Sequence, residues 1–331
     1  MAPSSYPAAS RNARSRPWAS APDRGAASIR IVSLLPGATE IVCALGLAES
    51  LVGVSHECDH PPEVRRKPRL TRPRFDSAGL PSREISSRVS EGRAAGASLY
   101  EIDAPALARL RPDLVLTQSV CGVCAVDLPE VERAVRGMSP RPRVLSLDPS
   151  SLEDVLEDVR RVGEAAGADG AASRVLAELR TRVRAVAGRR EGSGRRPRTV
   201  FLEWLDPPMV GGHWIPRMID LAGGRDALGR AGEPSRFVAW DEVLRADPEA
   251  LLLGPCGFDL ARARREVDLV RSRPGFDSLE AVRSDRVFLV DGNAHFSRPG
   301  PRLVDGLEIL GAILHPESSP ARAPEGAFER L

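Results

Sequence analysis

Two short stretches constrain this chain more than any others: RPDLVLT at 111–117 and ADPEALLL at 246–253. Each closes a helical pattern and runs straight into an uninterrupted apolar strand. Continuous apolar strands of this kind are buried on both faces, as in parallel α/β sheets. The same grammar therefore appears once in each half of the chain. IRIVSL at 29–34, LVGVS at 51–55 and RVLSLD at 143–148 read as further strands in the first half. Helices are expected over 39–47, where Gly46 ends the pattern, and over 128–137. In the second half RTVFLEW, PEALLLG and DRVFLVD read as strands, with helices over 214–222, 240–246 and 262–272 and in the final RPGPRLVDGLEILGAILHP. Strand–helix alternation of this kind predicts parallel sheets.

Between the halves lies a helical section. Ser150 followed by Glu153 reads as a capping box, and Leu152, Val155, Leu156 and Val159 mark one apolar face. Gly167 and Gly170 interrupt it. A second helix over 171–187 carries Val175, Leu176, Leu179, Val183 and Val186 inward; its length of roughly 25 Å is enough to cross between lobes. The expected fold is α/β: two Rossmann-like lobes with parallel sheets, joined by a long backbone helix, with a ligand cleft between them. The expected boundaries are a disordered tail over 1–28, a first lobe over 29–150, a helical linker over 151–190, a second lobe over 191–316 and a disordered tail over 317–331.

Composition narrows the function classes. Forty-seven basic against 45 acidic residues give a net charge of +2, so no global field recruits nucleic acid. No run approaches the roughly 18 consecutive apolar residues of a membrane span. The first 28 residues lack the apolar core of a secretory signal, which leads to the expectation of a cytoplasmic, monomeric chain. No P-loop, G-x-S-x-G, H-E-x-x-H or strand-linked G-x-G-x-x-G occurs, so the expectation is a protein that is not an enzyme.

The chemistry gathers where the strands end. After the successive strands come LPGATE, SHECDHP, TQSVCGVCAVD, EWLDPPMVGGHWIPRM, GPCGFD and DGNAHFSRPGPR. Four of the five cysteines and four of the five histidines fall in these segments. In open α/β sheets ligands sit at the carboxyl ends of the strands, so these loops should line a crevice. The candidate ligand-binding residues are Pro36, Gly37, His56, Glu57, Cys58, Asp59, His60, Cys121, Gly122, Cys124, Trp204, Pro208, Gly212, His213, Trp214, Cys256, Phe258, Asn293, His295, Phe296 and Arg298. Within that set His56, Cys58, Cys121, Cys124 and Cys256 have the donor types of a zinc or iron site. No cofactor is required by the pattern. A cytoplasmic metal-handling or redox protein built on this Cys/His cluster stands as an alternative.

The stretches RIVSLLPGATEIVCALGL, LVGVSHECDHPPE, LARLRPDLVL, FLEWLDPPMVGGHWIPRMIDLAGG, WDEVLRADPEALLL and RPGPRLVDGLEIL together resemble the helical-backbone (class III) substrate-binding proteins of ABC importers, in the branch that binds cobalamin and iron chelates. The resemblance covers roughly residues 29–316. It implies that Pro36 and Gly37 approach the ligand by their backbone. It also implies that His60 stands where the family carries an aromatic, and that Pro207, Pro208, Gly211, Gly212 and HFSRPGPR form cleft loops of the second lobe. The implied ligand is cobalamin or a related corrinoid or metal chelate, the implied partner an ABC permease, and the implied compartment periplasmic or extracytoplasmic. Asp241 matches the acidic docking residue of the second lobe, whereas Pro105 stands near that position in the first. The cysteines of HEC, CGVC and PCG are not general features of the family.

Overall fold

The computed structural model describes residues 29–95, 98–119, 126, 128–193, 195–318 and 326–331. Four strands build the first lobe in the order Leu51–Val54, Ile31–Ser33, Leu114–Thr117, Arg143–Ser146, and all pair in parallel. The second sheet is mixed. Arg198–Leu205, Ala250–Leu253 and Val287–Val290 are parallel, while Pro208–Val210 runs antiparallel to Arg198–Leu205 on one side and pairs antiparallel in turn with Arg236–Phe237. Phe328–Arg330 pairs antiparallel with Val287–Val290 on the other. The expected two-lobe α/β architecture is therefore present, with a second sheet that is not purely parallel. The carboxyl ends of the parallel strands of both lobes open on the crevice between them.

Local expectations mostly hold to within a turn; the connecting helix, expected over 171–187, runs Asp169–Ser193, and there are other exceptions. The first helix is Pro36–Ala44 rather than 39–47, because proline at the opening turn already has the helical φ and lacks the N–H that would go unpaired there. The capping box is shifted by one residue: Ser151, not Ser150, accepts from the Asp154 N–H, and Asp154 returns a bond to the Ser151 backbone. The expected helix over 262–272 is two short pieces, Leu260–Arg264 and Asp268–Arg271. The expected tail over 317–331 includes the strand Phe328–Arg330, whose backbone groups find partners on Val287–Val290. A polar region left without structure by the sequence pattern folds into the hairpin Thr71–Pro73 and Tyr100–Ile102, with helix Ser82–Ala94 between its strands.

The connecting helix Asp169–Ser193 has 25 residues, roughly 37 Å at 1.5 Å per residue. Leu176 and Leu179 belong to the apolar core of the first lobe and Val186 to that of the second, while Val183 touches both. Arg182 near its middle donates to Asp305 at 2.5 Å and to Glu308 at 2.6 and 2.9 Å on helix Leu303–Leu314. One rigid rod thus takes part in two cores, which limits how far the lobes can swing apart.

Candidate crevice between the lobes

The loop Ser55–Pro61 is shaped from behind by Arg69, which donates to the carbonyls of Ser55 at 2.7 Å and Cys58 at 2.5 Å. This turns the Cys58 side chain inward. Its thiol is fully buried in the first lobe, 3.0 Å from Thr39 Oγ1 and 3.1 Å from Ser55 Oγ, and burial pushes its pKa up. Cys58 is therefore core rather than crevice wall. His56 lies at the surface of the same loop: its Nδ1 is 2.7 Å from Thr71 Oγ1, its Nε2 is 3.3 Å from Glu57, and its ring packs on Tyr100. That imidazole, more than the opposing burial, holds the Glu57 carboxyl below its usual range. His60 is exposed, with its pKa lowered by partial desolvation and by Arg302.

From the second lobe, Arg298 reaches across and donates to both carboxylate oxygens of Asp59 and, at 3.1 Å, to the Glu57 carbonyl. Burial raises the Asp59 pKa, but the ion pair outweighs it and holds the carboxyl below its ordinary value. Arg302 forks onto Glu40 through bonds of 3.0 and 2.6 Å. The Glu40 side chain is 3 % exposed, and desolvation raises its pKa despite two guanidinium neighbours. Beside these pairs the backbones of the two lobes touch. A Cβ on Gly37 would stand 2.2 Å from the Pro299 carbonyl oxygen. Gly37 thus meets the opposite lobe by its backbone, at the floor of the crevice.

At the ends of second-lobe strands a buried aromatic pair lies in that lobe's core: Trp204 and Phe258 have ring centroids 5.3 Å apart, and the Arg262 guanidinium covers Phe258. The Asn293 N–H donates to the Phe258 carbonyl, which ties this pair to the short helix Gly292–His295. His295 is half-buried with its Nδ1 unpartnered among the described residues, and desolvation lowers its pKa. Cys256 is half-buried against the second-lobe core, its N–H donating to the Glu203 carbonyl.

Other candidates point elsewhere. The Phe296 ring packs on Phe201 at 5.1 Å inside the lobe, and Trp214 donates to the Phe296 carbonyl from the same core. Pro208 is buried in its strand, and Gly212 is closed in by the backbone of residues 233–235. His213, at a positive φ of 49°, donates its N–H to the Glu233 carbonyl and lies over Trp214; burial lowers its pKa. Cys121, Gly122 and Cys124 lie outside the described residues. Among the described residues no three His, Cys, Asp or Glu side chains are grouped to hold a metal ion. The cysteine-cluster expectation thus finds no support: Cys58 points into one lobe core and Cys256 packs on the other.

The pattern missed Glu40 and Arg302, which tie the floor. A charged residue inside the apolar helix ATEIVCAL was the available signal, since a buried carboxylate demands a partner. It also missed Ser82, Arg83, Asp206 and Glu266, which join across the lobes at the other side of the crevice.

A profile of the family described as periplasmic binding protein matches residues 31–294. The chain belongs to that family. It is 24% identical over 297 residues to an uncharacterized ABC transporter substrate-binding lipoprotein, YvrC, of Bacillus subtilis, covering 87% of this chain and 81% of the relative. It is 22% identical over 288 residues to the vitamin B12-binding protein of Vibrio cholerae, covering 86% and 88%. Among solved structures the fold is shared with the periplasmic heme-binding protein RhuT from Roseiflexus sp. RS-1, at a TM-score of 0.66, 24% identity and coverage of 88% and 99%. It is shared too with the periplasmic vitamin B12 binding protein BtuF of Vibrio cholerae, at a TM-score of 0.62, 19% identity and coverage of 86% and 96%. The expectation of a cytoplasmic chain is not borne out, since these relatives are periplasmic proteins or lipoproteins. Among the described residues no helix is long and apolar enough to cross a membrane.

Proposed function

We propose that this protein captures a corrinoid, or a closely related metal chelate, in its crevice and delivers it to an ABC importer outside the cytoplasmic membrane. It acts as a carrier, not a catalyst. The observation that carries the reading is the set of groups at the strand ends: the Trp204–Phe258 aromatic pair, with His56 and His295 on loops of opposite lobes. A corrinoid is flat and amphipathic. Its ring faces favour aromatic contact, its amide fringe favours polar loops, and its metal accepts a neutral imidazole. Burial lowers the His295 pKa, which favours that neutral form. Relatives named for vitamin B12 binding across most of their length support the same ligand.

The test is titration of the purified protein with aquocobalamin, cyanocobalamin and hemin, followed by visible absorption and calorimetry. Aquocobalamin should bind with a shifted spectrum, and His56→Ala or His295→Ala should remove the shift. Hemin binding without cobalamin binding would reassign the chelate. Failure of all three ligands at tens of micromolar would overturn the reading.

A further inference from the structure

The crevice has a second bridge that is built unlike its floor. Between the hairpin strands Thr71–Pro73 and Tyr100–Ile102, the first lobe sends out an arm whose helix Ser82–Ala94 lies on the second lobe. At its tip the Ser82 N–H and hydroxyl donate to the Glu266 carboxylate. Arg83 forks onto Asp206 at 2.8 and 3.0 Å. The Leu80 carbonyl accepts from Arg262, and the Ser82 carbonyl accepts from the Trp204 indole at 3.3 Å. Ile85 packs against the core cluster that contains Trp204 and Phe258. The two rings are left 9 % and 7 % exposed. In this arrangement the arm covers the aromatic pair of the second lobe.

Floor and arm differ in how they would open. Separating the lobes at the floor strips Glu40 and Arg298 of their partners, with side chains 3 % and 7 % exposed, and pulls Val304 from the first-lobe core. Buried charges left unpaired are among the most expensive defects a protein can carry. Lifting the arm breaks the buried Ser82–Glu266 bonds and an ion pair whose arginine side chain is 78 % exposed, but Asp206 keeps Arg273 at 3.3 Å afterwards. Glu266 likewise retains Arg262 within 3.9 Å. The arm helix itself is polar, with few buried residues. Segments with few buried apolar contacts open first.

We propose that the arm Arg74–Ala95 is the gate of the crevice: the lobes stay locked at the floor, and ligand enters when the arm lifts from Trp204 and Phe258. The part concerning entry rests on the corrinoid reading above; the opening of the arm does not. Each is read separately.

Hydrogen exchange on the ligand-free protein tests the opening. Amides of 83–94 should exchange through an opening much more frequent than that of the floor helices Pro36–Ala44 and Leu303–Leu314. The double variant Arg83→Ala/Ile85→Ala changes only the arm and leaves the second-lobe aromatic pair intact. It should speed exchange of 83–94 about tenfold, the effect of roughly 1.4 kcal/mol, with the floor helices unchanged. Stopped-flow mixing with aquocobalamin should then show an association rate raised by the same factor, since only the open fraction binds. Arm amides exchanging in step with the floor helices would overturn the gate. So would faster arm exchange without a faster association rate. If aquocobalamin gives no signal at all, the ligand reading fails, and exchange alone decides whether the arm opens.

Discussion

Replacing Glu40 by alanine tests whether the floor is held by charge. The carboxylate is nearly inaccessible and takes both of its short bonds from Arg302, with Arg298 3.9 Å away. Its removal leaves Arg298 paired with Asp59 but takes the carboxylate from Arg302, whose side chain is only 17 % exposed. Breaking one partner out of a buried pair costs about 3–5 kcal/mol. The low end applies here, because Arg302 is not wholly enclosed. With a urea slope near the upper end of the usual range, about 3 kcal/mol per molar, a loss of about 3 kcal/mol moves the midpoint down by about 1 M. Two probes, far-ultraviolet circular dichroism and tryptophan fluorescence, should move together if the lobes unfold as one unit. The companion Glu40→Ala/Arg302→Met removes both charges, and much of the loss should return, giving a coupling of about 1–3 kcal/mol in the cycle. A shift under about 0.3 M for Glu40→Ala, or additive single and double effects, would refute the reasoning, because the pair would then be solvated or replaceable by water.

Three further outcomes follow from the same geometry. Gly37→Ala puts a methyl 2.2 Å from the Pro299 carbonyl, so the floor must part; a loss of at least about 1–3 kcal/mol by denaturation and weaker ligand capture by calorimetry are expected. Cys58→Ser should keep the contacts with Thr39 and Ser55 and barely affect stability, whereas Cys58→Val should cost about 1–3 kcal/mol by taking the partner from the Ser55 hydroxyl, while Thr39 keeps Ser33 and the Leu35 carbonyl; iodoacetamide at pH 8 should leave Cys58 of the folded protein unlabelled, and rapid labelling would contradict its burial. Burial pushes Asp158 up to about 6, above its unfolded value, even though Arg161 donates to it at 2.7 Å. The folded state therefore holds the extra proton between about pH 4 and 6, so this group's contribution to stability is present at acid pH and is lost as pH rises through 6. Asp158→Asn should remove up to about 3 kcal/mol of that decline, read as the difference between the variant's and the parent's urea midpoints from pH 4 to 7; parallel pH profiles would count against it.

Much of the architecture was legible from local pattern. RPDLVLT and ADPEALLL imply buried parallel strands because apolar periodicity is a property of neighbouring residues, and so are the helix stops at glycine. The crevice loops were legible for a similar reason: topology alone places strand ends together. What each loop residue faces was not. Cys58 and His56 are two positions apart, yet one enters the core and the other packs on Tyr100 because Arg69, eleven residues beyond Cys58, holds the turn. Phe296 and Trp214 looked like ligand-facing aromatics and instead fill the second-lobe core.

By itself, then, the sequence determined two α/β lobes and a helical connection between them. Periods of two and 3.6 residues are written into short windows, and burial of those stripes leaves few ways to assemble them. Only the tertiary structure decided how the lobes are tied. Glu40 finds Arg302 across 262 positions, Asp59 finds Arg298 across 239, and Ser82 finds Glu266 across 184. A charge in a sequence announces that it needs a partner when buried, but not which one. The partner is fixed by where the chain returns in space, and that is settled by packing of the two cores against a single connecting helix.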